Sequence, residues 1–291
     1  MNQRIVVGLD GSKESIAAAR WAAREALLRN APLHLVHAEE WSSPPGIPAA
    51  SSDVRRPWTE ALLREAHDGL REGHPQLDIT TESFDGRPAD SLVGVAASAG
   101  MLVLGSRGLG TLTGFVLGSV GMAVIQAVER PIVLVRAAED AMPHAHGRHT
   151  DRDMVVGIDI SRPCDALLAF AFDEASRRAC TLRALHSWML PPLAGSGFAY
   201  SPEVNAQITQ SMNTGLDDML KPWRDKYPTV PIDAQATIGS ASEQLLEAGS
   251  ETGLVVVGRR IRRSSIGAHI GPITHAVLHH ATSPVAVIAH E

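Results

Sequence analysis

Short runs of hydrophobic residues alternate along this chain with longer stretches in which hydrophobic residues recur at helical spacing. Residues 4–9, 33–38 and 101–104 are nearly continuous apolar runs, which are typical of strands buried on both faces of a sheet. Residues 12–30 have apolar side chains at helical spacing and begin with Ser12, a residue type that favours helix starts. This alternation of strand and helix predicts a parallel sheet covered by helices on both faces.

The remaining elements of the first half continue the alternation. A helix is expected at 54–72, after a loop rich in proline, serine and glycine, and a more exposed strand at 78–83. Pro88 opens a further helix in the first turn, where proline is tolerated. A fourth strand, a glycine-rich loop, a helix and a fifth strand at 132–136 complete the unit.

The same pattern then occurs a second time. Residues 5–10 read Ile-Val-Val-Gly-Leu-Asp, and residues 154–159 repeat them as Met-Val-Val-Gly-Ile-Asp, an offset of 149. The Leu-Val-Leu-Gly run at 102–105 recurs as Val-Val-Val-Gly at 255–258, now at an offset of 153. The second copy has therefore gained residues in the loop-and-helix region between its second and third strands, where insertions are tolerated. A unit of this length is a duplicated domain and not a solenoid repeat.

We therefore expect two tandem domains, at residues 1–138 and 153–291, joined by a linker at 139–152. Each domain is predicted to be a doubly wound, Rossmann-like parallel sheet of five strands. The linker contains three histidines, but no carboxylate or cysteine spacing supports a metal site there, so a flexible connection is preferred. In such sheets, ligands bind beyond the carboxyl ends of the strands.

Composition narrows the function classes. Of the 291 residues 44% are hydrophobic, which suits packed domains, and the net charge of −6 disfavours a broad nucleic-acid-binding surface. The two cysteines form no C-x-x-C motif, so a disulfide framework is not expected and a reducing cytoplasm fits. The N-terminus lacks the apolar core of a signal peptide, and the uncharged stretch at 109–128 is too weakly hydrophobic for a membrane span.

One glycine-rich loop is the candidate binding site. Gly105 ends the fourth strand, Gly108 follows, and Gly118 and Ser119 precede a helix. In such a loop, backbone N–H groups can converge on a phosphate without an obstructing Cβ, and the positive end of the helix dipole attracts the anion. Each glycine costs about 0.5–1 kcal/mol in chain entropy, so their excess here suggests that another group approaches the backbone closely.

Other motifs fit this sequence less well. A Gly-x-Gly-x-x-x-Gly string at 108–114 suggests a dinucleotide, but it follows the fourth strand and lacks an acidic residue at the end of the next strand. The motifs G-x-x-x-x-G-K-[ST], H-E-x-x-H and G-x-S-x-G do not occur in the sequence. A P-loop enzyme, a zinc protease and an α/β-hydrolase are therefore not supported.

The spacing Gly-x2-Gly-x9-Gly-Ser in this loop resembles the ATP-binding signature of the universal stress protein family. The resemblance covers nearly the whole chain, as two tandem domains with a fold of the adenine nucleotide alpha hydrolase type. It implies ATP binding by a cytoplasmic stress-response protein, with Mg²⁺ held mainly by phosphate oxygens. It also implies a regulatory role in which unidentified protein partners take part, and not fast turnover.

Asp10, at the end of the first strand, has two interpretations from the residues alone: a ligand contact or an Asx turn. The resemblance places this aspartate against the nucleoside end of ATP and the backbone of Ala38 against adenine. The residues that the sequence assigns to the nucleotide in the first domain are Asp10, Ala38, Gly105, Arg107, Gly108, Gly118, Ser119 and Val120.

The second copy departs from the motif. Gly258 and Gly271 remain, but Ile261 replaces the middle glycine and Pro272 the hydroxyl residue. A β-branched residue avoids positive φ, and proline lacks an N–H, so two phosphate-contacting features are lost. Four arginines, at 259, 260, 262 and 263, could bind phosphate through their side chains instead.

Two hypotheses remain for the second domain. It either binds a nucleotide through side chains or has become structural, and the first is slightly favoured because its aspartate and outer glycines remain. The residues assigned to that site are Asp159, Ser187, Gly258, Arg260 and Gly271.

The sequence and the resemblance also predict how the domains associate and whether the protein is catalytic. In the family the final strand pairs domains into dimers, so the two copies should pair through 132–136 and 285–289, and a homodimer is the further expectation. No catalytic residue is assigned. His37 lies at the candidate edge, but a histidine in a strand more often packs in the core. Slow ATP hydrolysis and a ligand-free interaction module both remain alternatives.

Overall fold

The computed structural model describes residues 3–39, 52–106, 117–137, 153–162, 164–189, 202–261 and 270–291. The predicted linker and four of the residues singled out from the sequence, Arg107, Gly108, Arg262 and Arg263, lie outside these ranges. In the described part of the chain, no helix is long and apolar enough to cross a membrane.

The chain divides into two compact units, Met1–Pro143 and His144–Glu291. The first unit contains β1 (Ile5–Leu9), α1 (Lys13–Arg29), β2 (Leu33–Glu39), α2 (Ser52–Gly73), β3 (Ile79–Asp85), α3 (Pro88–Ala96), β4 (Met101–Gly105), α4 (Ser119–Ala127) and β5 (Ile132–Val135). The second contains β6 (Met154–Gly157), α5 (Asp165–Arg178), β7 (Leu182–Trp188), α6 (Pro202–Lys226), β8 (Ile232–Ile238), α7 (Ala241–Gly249), β9 (Leu254–Arg260), α8 (Pro272–His280) and β10 (Val285–His290).

Each unit is built on five parallel strands. Their order is β3-β2-β1-β4-β5 in the first unit and, in matching sequence, β8-β7-β6-β9-β10 in the second. Ile5 pairs with Leu33 on one side and with Met101 on the other, so β1 lies at the centre of its sheet. The chain runs outwards from β1 in both directions, which makes the crevice beside β1 the switch point where ligands bind in such folds. The predicted fold, two tandem doubly wound parallel sheets, is confirmed.

Burial follows the hydrophobic pattern of the sequence. The side chains of β1, β4 and β5 are almost completely buried, whereas most of β3 is exposed, as its alternating sequence predicted. Helix α1 buries a face made largely of alanines, which lets its backbone lie close to the sheet. That short distance becomes important at the end of β4, where Gly105 lies against the first turn of α1.

The first helix of each unit begins at a different point. Ser12 caps α1, and its Oγ accepts a hydrogen bond of 3.1 Å from the Ser15 N–H. In the second unit, Ser161 matches Ser12, but α5 begins only at Asp165 and is capped by Cys164, whose Sγ accepts from the Leu167 N–H at 3.4 Å. The sequence has a proline at 163, and a residue before proline is disfavoured in helical conformation. Helix α5 therefore has 14 residues where α1 has 17.

Both of these helices end on a residue with left-handed backbone angles, and this gives a stability prediction. Asn30 (φ 48°, ψ 49°) ends α1, and Ala179 (φ 48°, ψ 48°) ends α5. A Cβ in this region costs about 1–2 kcal/mol, and glycine or asparagine avoids much of that cost. Ala179→Gly should therefore stabilise the second domain by about 1 kcal/mol and raise its Tm in differential scanning calorimetry.

The matched control for this prediction is Asn30→Ala, which places in the first domain the alanine that the second domain already has. It should lower the Tm of the first domain. If both variants shift Tm in the same direction, the assigned backbone strain at Ala179 is wrong.

Candidate functional site

The predicted residues of the first unit that the structure describes lie at the carboxyl edge of its sheet. Asp10 follows β1, and Ala38 lies near the end of β2. The Ser106 N–H, just after β4, donates to the Val135 carbonyl at 2.8 Å, and the Gly118 N–H donates to the Ser106 carbonyl at 3.3 Å. The two described ends of the glycine-rich segment are therefore joined beside the ends of β4 and β5.

Asp10 makes the turn that was one of its two interpretations. Its Oδ1 accepts from the Ser12 N–H at 3.0 Å and from the Ser12 Oγ–H at 2.6 Å. Asp159 does the same with Ser161 in the second unit, at 3.0 and 2.6 Å. These bonds use Oδ1 in both units. We therefore assign a ligand contact to the other carboxylate oxygen, Oδ2. The turn holds each carboxylate at the sheet edge.

The backbone of Ala38 faces the candidate crevice. The Glu39 carbonyl accepts from the Gly86 N–H at 3.0 Å and so faces the side of β3. Successive peptide groups of a strand point in opposite directions, so the Ala38 carbonyl faces the side of β1. There, the pairing of β1 with β2 stops at Leu9 and His37. In the second unit, the carbonyl of Trp188 accepts from the Gly239 N–H at 3.0 Å and so faces the side of β8. The carbonyl of the preceding residue, Ser187, therefore faces the side of β6.

Gly105 has a structural reason to be glycine. A Cβ on this residue would lie 2.8 Å from the backbone carbon of Glu14 and 2.8 Å from the backbone nitrogen of Ser15. The first turn of α1 therefore occupies the space that a side chain would need. The close approach that the glycines suggested is present here, and the approaching group is the protein's own helix.

Helix α4 starts at Ser119, and Gly118 is its N-cap, with extended backbone (φ −63°, ψ 152°) and no side-chain capping bond. The cap is therefore glycine and not the serine that the sequence suggested. Ser119 is an exposed residue in the first turn, followed by Val120. The first N–H groups of a helix have no partner within it, so this turn presents donors towards the glycine-rich segment.

A cavity of about 430 Å³ opens at the matching edge of the second unit. All five residues assigned there from the sequence line it: Asp159, Ser187, Gly258, Arg260 and Gly271. Its volume falls within the roughly 300–1,000 Å³ of typical small-molecule sites. The structure therefore brings the predicted residues of the second domain together around one space.

The late start of α5 contributes to this cavity. A Cβ on Gly258 would meet the imidazole of His290, at 2.8 Å from Nε2, and not a helix backbone as at Gly105. Arg162 and Cys164, which flank the missing helical turn, both line the cavity. The helical turn that fills the space above β4 in the first unit is absent above β9.

The segment after Gly258 is strand, where the sequence predicted a loop. β9 continues to Arg260, which pairs with His290 of β10, whereas β4 ends at Gly105. Side chains alternate along a strand, so Arg259 is 3% exposed on one face while Arg260 lines the cavity on the other. The expectation of four arginines at one loop is therefore wrong for Arg259, and two of the others lie outside the described residues.

Five polar residues that the sequence did not assign to a site also line this cavity: Arg162, Cys164, His186, Thr274 and His290. The Thr274 Oγ1 donates to the Gly258 carbonyl at 2.8 Å and so ties α8 to the end of β9. Burial raises the pKa of the Cys164 thiol, so this cysteine stays neutral. The sequence contains a signal for His290, since the apolar run at 285–289 continues to this residue without a glycine or proline to end the strand.

His37 is a packed residue, as expected for a strand histidine. It is 5% exposed, and its Nδ1 lies 2.8 Å from the Leu9 carbonyl, an acceptor to which it must donate. His186 makes the matching contact with the Ile158 carbonyl at 3.0 Å. Both histidines brace the end of the central strand. The Nε2 of His37, the atom that would act as a base, is buried away from solvent, which argues against a catalytic role.

Comparison with known proteins gives consistent matches. The model of the universal stress protein family matches residues 1–136 and 152–289. Universal stress protein Rv2623 of Mycobacterium tuberculosis (strain ATCC 25618 / H37Rv) is 33% identical over 293 residues, which cover 97% of this chain and 95% of that protein.

Two solved structures are also similar. A universal stress protein from Archaeoglobus fulgidus DSM 4304 aligns with a TM-score of 0.67 over 99% of this chain and 98% of its own, and its 14% identity shows a shared fold alone. A universal stress protein solved in complex with cAMP is 31% identical and covers 47% of this chain and 98% of its own, with a TM-score of 0.38.

The packing of the two glycines predicts different costs for the same substitution. Gly105→Ala forces a methyl group against the α1 backbone, and such overpacking costs typically about 1–3 kcal/mol. Gly258→Ala meets a side chain that can turn away, so it should cost less. Thermal unfolding of each variant should show the larger fall in Tm for Gly105→Ala. Equal falls would contradict the assigned packing at Gly105.

Proposed function

Since the chain belongs to the universal stress protein family, we propose that it is an ATP-binding regulatory protein whose two domains each hold one adenine nucleotide. The observation that carries the proposal is the cavity of about 430 Å³ in the second domain, lined by every residue that the sequence assigned there. Binding couples to conformation or to partner choice in a stress response. The proposed compartment is the cytoplasm, and the proposed assembly is a homodimer.

In the first domain, the nucleoside end of ATP lies between Asp10 and Ala38. The turn with Ser12 fixes the carboxylate of Asp10, so its Oδ2 is already in place to accept from a ribose hydroxyl or a base amine. A pre-positioned acceptor loses little conformational entropy on binding. The Ala38 carbonyl faces the same crevice and supplies the backbone contact to adenine.

The phosphates of this ATP lie at the start of α4. Ser119 and Val120 provide N–H groups of the first helical turn, and Ser119 adds a hydroxyl, while Gly118 caps the helix with its own N–H bonded to the Ser106 carbonyl. Arg107 and Gly108, outside the described residues, complete the phosphate loop in this proposal. Gly105 contributes by letting α1 pack closely and so places the turn of Asp10 beside the loop.

In the second domain, side chains take over part of the phosphate binding. Arg260 and Arg162 line the cavity, and arginine can bind a phosphate bidentately without help from a backbone loop. Gly271 caps α8 with φ −67°, and a Cβ built there meets nothing within 4 Å. Neither the backbone angle nor packing among the described residues requires glycine at 271, and the proposal explains it by the approach of a ligand.

The charge of the bound ATP requires compensation in both domains. Mg²⁺ is proposed to accompany ATP and to be held mainly by phosphate oxygens, since this ion prefers few protein ligands when phosphates are available. Rapid hydrolysis is not part of the proposal, because the Nε2 of His37, the atom that would act as a base, is buried away from solvent.

Asparagine substitutions separate ligand binding from turn formation. Asp10→Asn keeps an oxygen that can accept from Ser12 but removes the charge, and Asp159→Asn does the same in the second domain. Each should weaken ATP binding at its own site by roughly ten- to hundredfold, since a hydrogen bond to a charged group contributes about 1.5–3 kcal/mol. Isothermal titration calorimetry of each variant, with Mg²⁺ present, measures both affinities.

The control is Asp10→Ala, which also removes the turn and should lower Tm as well as affinity. The proposal predicts that Asp10→Asn leaves Tm nearly unchanged. If Asp10→Asn and Asp159→Asn both bind ATP with wild-type affinity, the two aspartates serve the turn alone, and the assigned nucleoside contacts are wrong.

A further inference from the structure

Trp58, on α2, stands beside the turn of Asp10 in the first domain. Its side chain is 48% exposed, which is unusual for so large an apolar group. Its ring meets the imidazole of His37 edge-on, with centroids 5.4 Å apart and planes at 72°. A Cβ built on Gly11, the residue after Asp10, would lie 3.8 Å from the Trp58 ring and 3.6 Å from Leu62. The indole therefore lies at the rim of the nucleoside crevice.

The support beneath this indole is rigid. His37 is buried, and its Nδ1 donates to the Leu9 carbonyl at 2.8 Å, at the end of the central strand. Contact with this fixed imidazole limits the rotation of the Trp58 ring, while about half of the indole remains open to solvent. A flat aromatic surface that is held in place and half open can stack against a planar ligand at small entropic cost.

In the second domain, the position that matches Trp58 holds no aromatic residue. At the offset of 153 residues, the buried Leu63 of α2 matches the buried Leu216 of α6, which aligns the two helices. The same offset matches Trp58 with Ser211 and Leu62 with Gly215. Ser211 has no ring to offer, so any contact made by the indole is confined to the first domain.

The neighbouring positions have exchanged large and small side chains. In the first domain, the small Gly11 faces the large Leu62. In the second domain the large residue is on the turn, as Ile160, and the small one is on the helix, as Gly215. A Cβ built on Gly215 would lie 3.6 Å from the Ile160 Cδ1. Packing between helix and turn is therefore preserved in both domains. The Trp58 ring borders the same gap, 3.8 Å from a Cβ built on Gly11, but the second domain keeps the packing with Ser211 at this position. Filling the gap between helix and turn therefore does not require an indole.

We propose that Trp58 stacks on the base of the nucleotide held by the first domain, and that this contact makes the first site more selective for the base than the second. The inference rests on the proposed function. The surface of the ring is available, its neighbours Gly11 and His37 flank Asp10, and stacking of a base on an aromatic side chain is a strong and sequence-tolerant contact. Purines, with the larger ring system, gain more than pyrimidines.

The test compares ATP with inorganic tripolyphosphate, which has the phosphates but no base. Trp58→Ala should weaken ATP binding at one of two sites by roughly ten- to hundredfold, the range expected when one stacked base is lost. It should leave tripolyphosphate binding unchanged. Trp58→Phe should retain most of the ATP affinity, because a phenyl ring still stacks. Calorimetry on the full chain gives both affinities, and circular dichroism checks folding.

A matched control is Ser211→Ala, at the same position of the second domain, which should leave both ATP affinities as in wild type. A second readout is the ratio of ATP to CTP affinity at the weakened site, which should fall in Trp58→Ala because the base contact is lost. This ratio does not change if the substitution only loosens α2.

The outcomes separate this inference from the proposed function. ATP affinity unchanged in Trp58→Ala, or ATP and tripolyphosphate weakened by the same factor, would overturn the stacking contact while nucleotide binding stands. Absence of ATP binding in the wild-type chain would overturn the proposed function and the stacking contact together. Selective loss of ATP affinity with tripolyphosphate binding intact supports both.

Discussion

The contact between the first helix of each unit and the end of the fourth strand determines what kind of site each unit can form. In the first unit, α1 begins at Lys13, and its first turn lies so close to Gly105 that a methyl group would sit 2.8 Å from the helix backbone. In the second unit, α5 begins at Asp165, and the same position faces the side chains of His290 and Leu167 instead of a helix backbone. The first turn of α1 thus occupies the space beside Gly105, whereas the matching space in the second unit opens into a cavity of about 430 Å³.

This difference accounts for the way the two copies diverged in sequence. In the first unit, where α1 packs closely, the chain has glycines at the end of β4 and at the start of α4. The backbone N–H groups at the start of α4 are then the groups suited to an anion. Where the helix starts late, the strand after Gly258 extends and brings Arg260 and His290 to the cavity wall. The two domains thus keep one architecture and the same aspartate turn but present different chemistry to a ligand.

Much of this could be predicted from the sequence, because the repeat and the apolar runs fix the strands and their order. The turn at Asp10 could be named only as an alternative, since an aspartate after a strand serves a turn or a ligand equally well. The late start of α5 is explained by Pro163, because the residue before a proline is disfavoured in helical conformation. The packing at Gly105 and the position of Trp58 depend on distances between elements that are far apart in the sequence. Such distances cannot be predicted from the pattern of a single sequence.

The central claim is that both domains bind nucleotide, and native mass spectrometry of the full chain with ATP and Mg²⁺ tests it most directly. The method counts the nucleotides on each molecule and needs no assumption about where they bind. The account predicts that binding saturates at two ATP per chain. Saturation at one would contradict the assignment of a working site to the second-domain cavity, and no bound nucleotide would contradict the function proposed for the whole protein.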